Sequence, residues 1–94
     1  MITANLQKSI INYLCNYGVK RIRVFGSRAR GTNKEESDLD LLVEFSRSLS
    51  LIKLIKIERE LSEQIGIHVD LLTEGAISPL LKDKVNSEAV TIFE

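Results

Sequence analysis

The first pattern along the chain is helical. Ile2, Leu6, Ile10, Leu14 and Tyr17 recur at near-helical spacing, and Ile11 widens the stripe. Thr3 is placed to cap this helix and Gly18 to stop it. Arg21-Ile22-Arg23-Val24-Phe25 then alternates charged and apolar residues, the period of a strand, and ends abruptly at Gly26-Ser27. Arg28 to Glu36, which contains Gly31, Thr32 and Asn33, reads as a turn or loop with room for one helical turn. From Asp38 to Phe45 the chain is strand-like again. Ser50 caps a second predicted helix that runs to about Ile65, with Leu51, Leu54, Ile55, Leu61 and Ile65 on one side and Gly66 closing it. Ile67 to Thr73 predicts a third strand. Pro79 suits the first turn of a short helix beginning near Ser78, and Ala89 to Phe93 predicts a fourth strand at a sheet edge. This order predicts an α/β (α+β) fold with helices packed on a small mixed β-sheet.

At 94 residues, one domain spanning 1–94 is the expectation. A core of that size leaves a role for a homo- or hetero-oligomeric partner in stability. Lys+Arg and Asp+Glu balance at 13 each. Tight nonspecific nucleic-acid binding then lacks its main electrostatic drive, so a template-dependent polymerase is disfavoured and no direct nucleic-acid contact is expected. Cys15, the single cysteine, cannot form an intramolecular disulfide; inside a helical apolar pattern it reads as a buried, inert thiol. No apolar run approaches the roughly 20 residues that span a bilayer. Met1 to Tyr17 lacks the pattern of a signal peptide, so a reducing cytoplasm is the expected address.

The chemistry is concentrated in Ser37-Asp38-Leu39-Asp40-Leu41-Leu42-Val43. Side chains alternate faces along a strand, so Asp38 and Asp40 point to one side, roughly 6–7 Å apart, while Leu39, Leu41 and Val43 cover the other. Aspartate is depleted in strands, and two on one face repel each other. Something positive must sit between them. Asp70, in His68-Val69-Asp70-Leu71-Leu72, repeats the pattern and joins the cluster if its strand lies beside the first. Three carboxylates suit a hard cation, and magnesium fits best because it also coordinates substrate phosphates. Two such ions activate an attacking oxygen and stabilise a leaving pyrophosphate. The structural alternative makes Asp38 and Asp40 caps, or ion-pair partners of Arg28 and Arg30 at a strand edge.

Gly26 follows a predicted strand, where a residue without Cβ lets the backbone turn sharply or approach a ligand. Ser27 offers a hydroxyl and an N–H to phosphate oxygens, and Arg28 and Arg30 are suited to neutralise them. Gly26-Ser27, ten intervening residues and Asp38-Leu39-Asp40 together resemble the signature of the minimal nucleotidyltransferases, within the DNA polymerase β-like nucleotidyltransferase superfamily. Val24 to Gly31 and Ser37 to Val43 look like that family's two central blocks, Val69 to Thr73 like its third-carboxylate strand, and Glu88 to Phe93 like its closing strand. Arg21 and Arg23 depart from it by charging a strand that is usually more apolar, and the loop from Thr32 to Glu36 lacks the proline often seen there.

The resemblance implies that Asp38, Asp40 and Asp70 are catalytic metal ligands, with Asp70 also the base for the acceptor hydroxyl. It implies that Gly26, Ser27, Arg28 and Arg30 bind the nucleotide, with ATP as substrate and Mg2+ as cofactor. Members of this family are commonly encoded beside a HEPN-domain protein, often an RNase toxin, and act as its antitoxin. Some attach AMP to a tyrosine of that partner. The expected function is therefore an antitoxin protein adenylyltransferase acting on a HEPN toxin. The alternatives are a non-catalytic module that silences its partner by binding, and a transferase for a small hydroxylated molecule. Of the remaining residues, His68 shares a predicted face with Asp70 but reads as a strand-end residue. Tyr13 and Tyr17 read as helix packing, and Glu58 and Arg59 as a solvated or partner-facing helix surface.

Overall fold

A computed structural model describes residues 3–26 and 38–94. Thr3 caps the first helix by accepting the Leu6 amide on Oγ1 at 3.2 Å, and the helix, α1, runs over Ala4–Cys15. Its apolar stripe buries Ile10 and Leu14 completely, with Leu6, Ile11, Tyr13 and Tyr17 packed around them. Ile2, the first residue of the predicted stripe, lies outside the described residues. The Cys15 expectation fails: the thiol is exposed. It is one helical step, about 100°, beyond Leu14, and that step carries it off the buried stripe.

The first strand, β1, covers Val19–Phe25 and starts two residues before the alternation predicted it. Val19 and Ile22 are both buried although an odd spacing separates them. A register shift between Val19 and Arg21 in the pairing with the next strand resets the alternation. That next strand, β2, is Leu39–Phe45. Ser50 then caps α2, Leu51–Ile65, by accepting the Lys53 amide at 3.1 Å, and Gly66 ends it in the left-handed region at φ 71°. β3 is Val69–Thr73, a 3₁₀ turn covers Glu74–Ala76, and Pro79 opens α3, Pro79–Glu88. β4, Val90–Phe93, closes the described chain.

The four strands lie in the order β3-β2-β1-β4. β1 is antiparallel to both β2 and β4, whereas β2 and β3 run parallel, linked through α2. The sheet is therefore mixed, as expected. One face meets α1 and α2 in a single core of Ile10, Leu14, Ile22, Val24, Leu39, Leu41, Val43, Ile57, Leu61 and Val69, with Val19 and Leu71 at its margin. The predicted α2 stripe needs correction. Ile57 and Leu61 are its buried residues, flanked by Leu54 and Ile65, while Leu51 and Ile55 are 72% and 56% exposed. Positions 54, 57, 61 and 65 lie along one line of the helix, and Ile55 falls about 100° beyond it.

Side chains of α2 also finish the sheet. β3 is an edge strand, and its outward amides would template another strand if left open. Glu58 Oε2 accepts the Leu71 N–H at 2.8 Å, and Ser62 Oγ accepts the Val69 N–H at 2.9 Å. Glu58 thus caps a sheet edge and is not a merely solvated residue; Arg59 is exposed, 3.9 Å from Glu63. Tyr13 binds the two helices together: its hydroxyl donates to Glu60 Oε2 at 2.5 Å, and its ring lies 5.6 Å from that of Tyr17, over which Lys53 sits. Burial, reinforced by the Glu60 hydrogen bond, pushes the Tyr13 hydroxyl pKa up. Both tyrosines are packing residues, as expected. Among the described residues no helix is long and apolar enough to cross a membrane.

Candidate active site

The face of the sheet away from α1 and α2 carries the polar positions of the three longer strands. On β1 these are Arg21 and Arg23, and they are joined across the sheet by Glu74 from the 3₁₀ turn. Glu74 accepts from Arg21 Nη2 and from Arg23 Nη2, the latter at 2.5 Å, and Arg23 Nη1 donates to Asn86 of α3 at 2.9 Å. Burial works against the Glu74 carboxylate. The Arg21 hydrogen bond and the two guanidinium charges outweigh it, so its pKa lies below the ordinary glutamate value. The charge that Arg21 and Arg23 place on β1 is thereby partly offset within the fold.

The carboxylates gather at the other end of this face. β2 and β3 pair in parallel with Leu39 opposite Val69 and Asp40 opposite Asp70, and the His68 carbonyl accepts the Leu39 N–H at 2.8 Å. Paired residues of neighbouring strands share a face. Since Leu39, Leu41, Val43, Val69 and Leu71 fill the core, Asp38, Asp40, His68 and Asp70 share the opposite side. The two-residue spacing in both strands and their register meet at one place. Asp38 and Asp70 are about half exposed at 53% and 47%, so the site opens to solvent at the β3 edge.

Asp40 is placed by Gly26. The backbone turns there with φ 76°, a conformation that side chains rarely tolerate. A Cβ on Gly26 would overlap Asp40 Oδ2 and stand 3.2 Å from its Cγ. Only glycine lets the end of β1 pass so close to this carboxylate. Phe25 pairs with Asp40, which brings β1's exit turn and β2's aspartate side by side. The coupling of Gly26 to Asp40, read in the sequence as a spacing, is a direct contact in the fold. Ser27, Arg28 and Arg30 lie outside the described residues, as does the predicted loop from Arg28 to Glu36.

His68 is the strand-end residue it reads as, immediately before β3, and it lies beside two of the aspartates. Its Nδ1 stands 3.4 Å from Asp38 Oδ1 and 3.9 Å from Asp70 Oδ1, and one donor atom of each of the three residues falls within 4.8 Å of the others. The signal was present, because His68 is two residues before Asp70 and so shares its face. Two carboxylates and an imidazole this close together are a donor set compatible with a divalent cation.

A mixed sheet under two helices, with aspartates paired across two parallel strands beside a glycine turn, defines a nucleotidyltransferase domain. The family model for the nucleotidyltransferase domain matches residues 8–92, and the chain belongs to this family. Among its relatives, a candidate protein adenylyltransferase of Methanocaldococcus jannaschii is 47% identical over 88 residues, covering 94% of this chain and 95% of that protein. The protein adenylyltransferase MntA of Thermococcus cleftensis is 40% identical over 76 residues, covering 81% of this chain and 77% of that one. A solved toxin–antitoxin structure with AMP-PNP superposes with a TM-score of 0.84 at 25% identity, covering 93% of this chain and 72% of that one. A candidate minimal nucleotidyltransferase superposes at 0.76 with 36% identity, covering 89% and 86%.

Proposed function

We propose that this chain is an antitoxin-type protein adenylyltransferase, which moves AMP from ATP to a tyrosine hydroxyl of a HEPN-domain toxin. The observation that carries the reading is the register that aligns Asp40 with Asp70 on an open sheet face, two residues beyond Asp38 and His68. Two relatives that this chain matches over most of their length bear the name of the same activity.

In this reading Asp38, Asp40 and Asp70 hold Mg2+, expected as two ions. When bound, Mg2+ neutralises the triphosphate and makes the acceptor oxygen a better nucleophile. Gly26 leaves room for Asp40 at the turn, Ser27 holds the triphosphate with its hydroxyl and N–H, and Arg28 and Arg30 offset its charge. Asp70, half exposed at the edge strand, faces the side from which a protein acceptor approaches, and its carboxylate takes the tyrosine proton. The phenolic oxygen forms a bond to the α-phosphorus as the bond from that phosphorus to the bridging oxygen breaks, and pyrophosphate leaves.

The test is neutralisation of the partner toxin by a double variant, Asp38→Ala with Asp40→Ala. The catalytic reading expects neutralisation to be lost while the complex still forms. Full neutralisation by the double variant would refute catalysis and leave a binding antitoxin.

A further inference from the structure

We propose that the cavity between β1, the 3₁₀ turn and α3 is an oxyanion site that takes a phosphate group, inorganic or carried by a nucleotide. It encloses about 260 Å³ and is lined by Arg21, Arg23, Glu74, Ile77, Lys82 and Asn86. None of these residues has a part in the proposed transfer of AMP, so the inference stands apart from that reading.

The charge of the lining is the first observation. Three cations face one carboxylate. Glu74 accepts from both guanidinium groups, and Asn86 Oδ1 accepts from Arg23 Nη1. The Nε of each arginine is nevertheless buried without a hydrogen-bond partner. Glu44 Oε2 stands 3.9 Å from Arg21 Nε, beyond hydrogen-bond reach. The Arg23 side chain is only 13% exposed. A buried N–H of a charged group is costly to leave unpaired, and the missing acceptor belongs in the space beside it. Lys82 adds an ammonium that makes no hydrogen bond or ion pair among the described residues.

This surplus selects the ligand. Glu74 already fills the place of a single carboxylate, and the two positive charges left over match a dianion. Phosphate oxygens also suit guanidinium donors, which bind them more strongly than neutral acceptors. The walls support the same reading. Lys82 and Asn86 are one turn apart on α3, and α3 buries none of its residues. The 2.9 Å bond from Arg23 to Asn86 ties this helix to the polar face of the sheet. Phe25 pairs with Asp40 and Arg23 with Leu42, so the cavity begins two residues, roughly 7 Å, along the face from the carboxylates. It is therefore a second anion site beside the first, reached from the same side of the sheet.

The experiment titrates the full 15N-labelled chain, without metal, with phosphate, pyrophosphate, AMP and, at matched ionic strength, sodium chloride. The Nε–Hε resonances of Arg21 and Arg23 report binding at the cavity itself. Both are expected to shift saturably with pyrophosphate, and Lys82→Gln, at an exposed position, is expected to bind it ~10-fold more weakly. Asp38→Ala with Asp40→Ala should leave those shifts in place. Equal affinity for phosphate and AMP would assign the site to the phosphate group alone, and tighter AMP binding would assign it to a nucleotide. Pyrophosphate binding that leaves both Nε resonances unmoved and is unchanged in Lys82→Gln would overturn the proposal and place the anion elsewhere. Shifts reproduced by chloride would overturn it as charge screening only, as would an absence of saturation up to ~10 mM. No turnover of ATP enters the measurement, so failure of AMP transfer leaves its result intact.

Discussion

Replacing Gly26 by alanine separates the backbone role of this residue from its role beside Asp40. At φ 76° an alanine pays the left-handed penalty of about 1–2 kcal/mol. In a domain of this size each kcal/mol lowers the melting temperature by roughly 4–8 °C. The new Cβ also overlaps Asp40 Oδ2, and the cheapest relief is to swing that carboxylate away, since it is the end of a side chain. Relief at that point falls on the site: a catalytic group misplaced by about 1 Å lowers the rate by roughly 100-fold. Gly66 supplies the control. It has φ 71°, and a Cβ there meets nothing within 4 Å. Gly66→Ala and Gly26→Ala should therefore lose similar stability in thermal melts. Only Gly26→Ala should lose about 100-fold in AMP transfer to the toxin, measured well below both melting temperatures. Equal transfer rates for the two variants would refute the claim that Gly26 makes room for Asp40.

Glu58→Ala leaves the Leu71 amide unpaired at the sheet edge and should cost about 1–3 kcal/mol in chemical denaturation, with more aggregation on heating; Glu58→Gln keeps an acceptor and should cost less. Glu74→Gln should destabilise by about 1 kcal/mol near neutral pH, the scale of a partly exposed ion pair. Because the folded pKa of Glu74 is lowered, that contribution is complete above the ordinary glutamate value and fades as pH falls through the folded one; denaturation curves of wild type and variant should converge in acid. Cys15 should react stoichiometrically with a thiol reagent in the native protein, where a buried thiol would react only on unfolding.

The local chemistry of the chain was legible because it uses strong punctuation. Thr3 and Ser50 accept the helix amides that their positions suggested, and Gly66 takes the left-handed cap. The aspartate spacing was legible for the same reason, since a period of two leaves no choice of face. What the sequence concealed depends on partners far along the chain. Glu58 resembles any surface glutamate until the parallel pairing leaves β3 at an edge beside α2. Arg21 and Arg23 look like unmatched charge until the 3₁₀ turn, unseen in the pattern, brings Glu74 over them. Leu51 and Ile55 illustrate a different limit: neighbouring apolar stripes on one helix differ by a rotation that only the sheet beneath can settle. His68 was visible on the right face, but its closeness to Asp38 required the β2–β3 register.

The central claim is transfer of AMP to a protein, and intact mass of the HEPN-domain partner tests it most directly. The partner is incubated with this chain, ATP and magnesium, beside the Asp38→Ala, Asp40→Ala double variant. Gain of mass in whole AMP units with wild type and none with the variant is the predicted result. A stable complex with no gain in mass would contradict transfer to this partner and leave binding as the means of neutralisation.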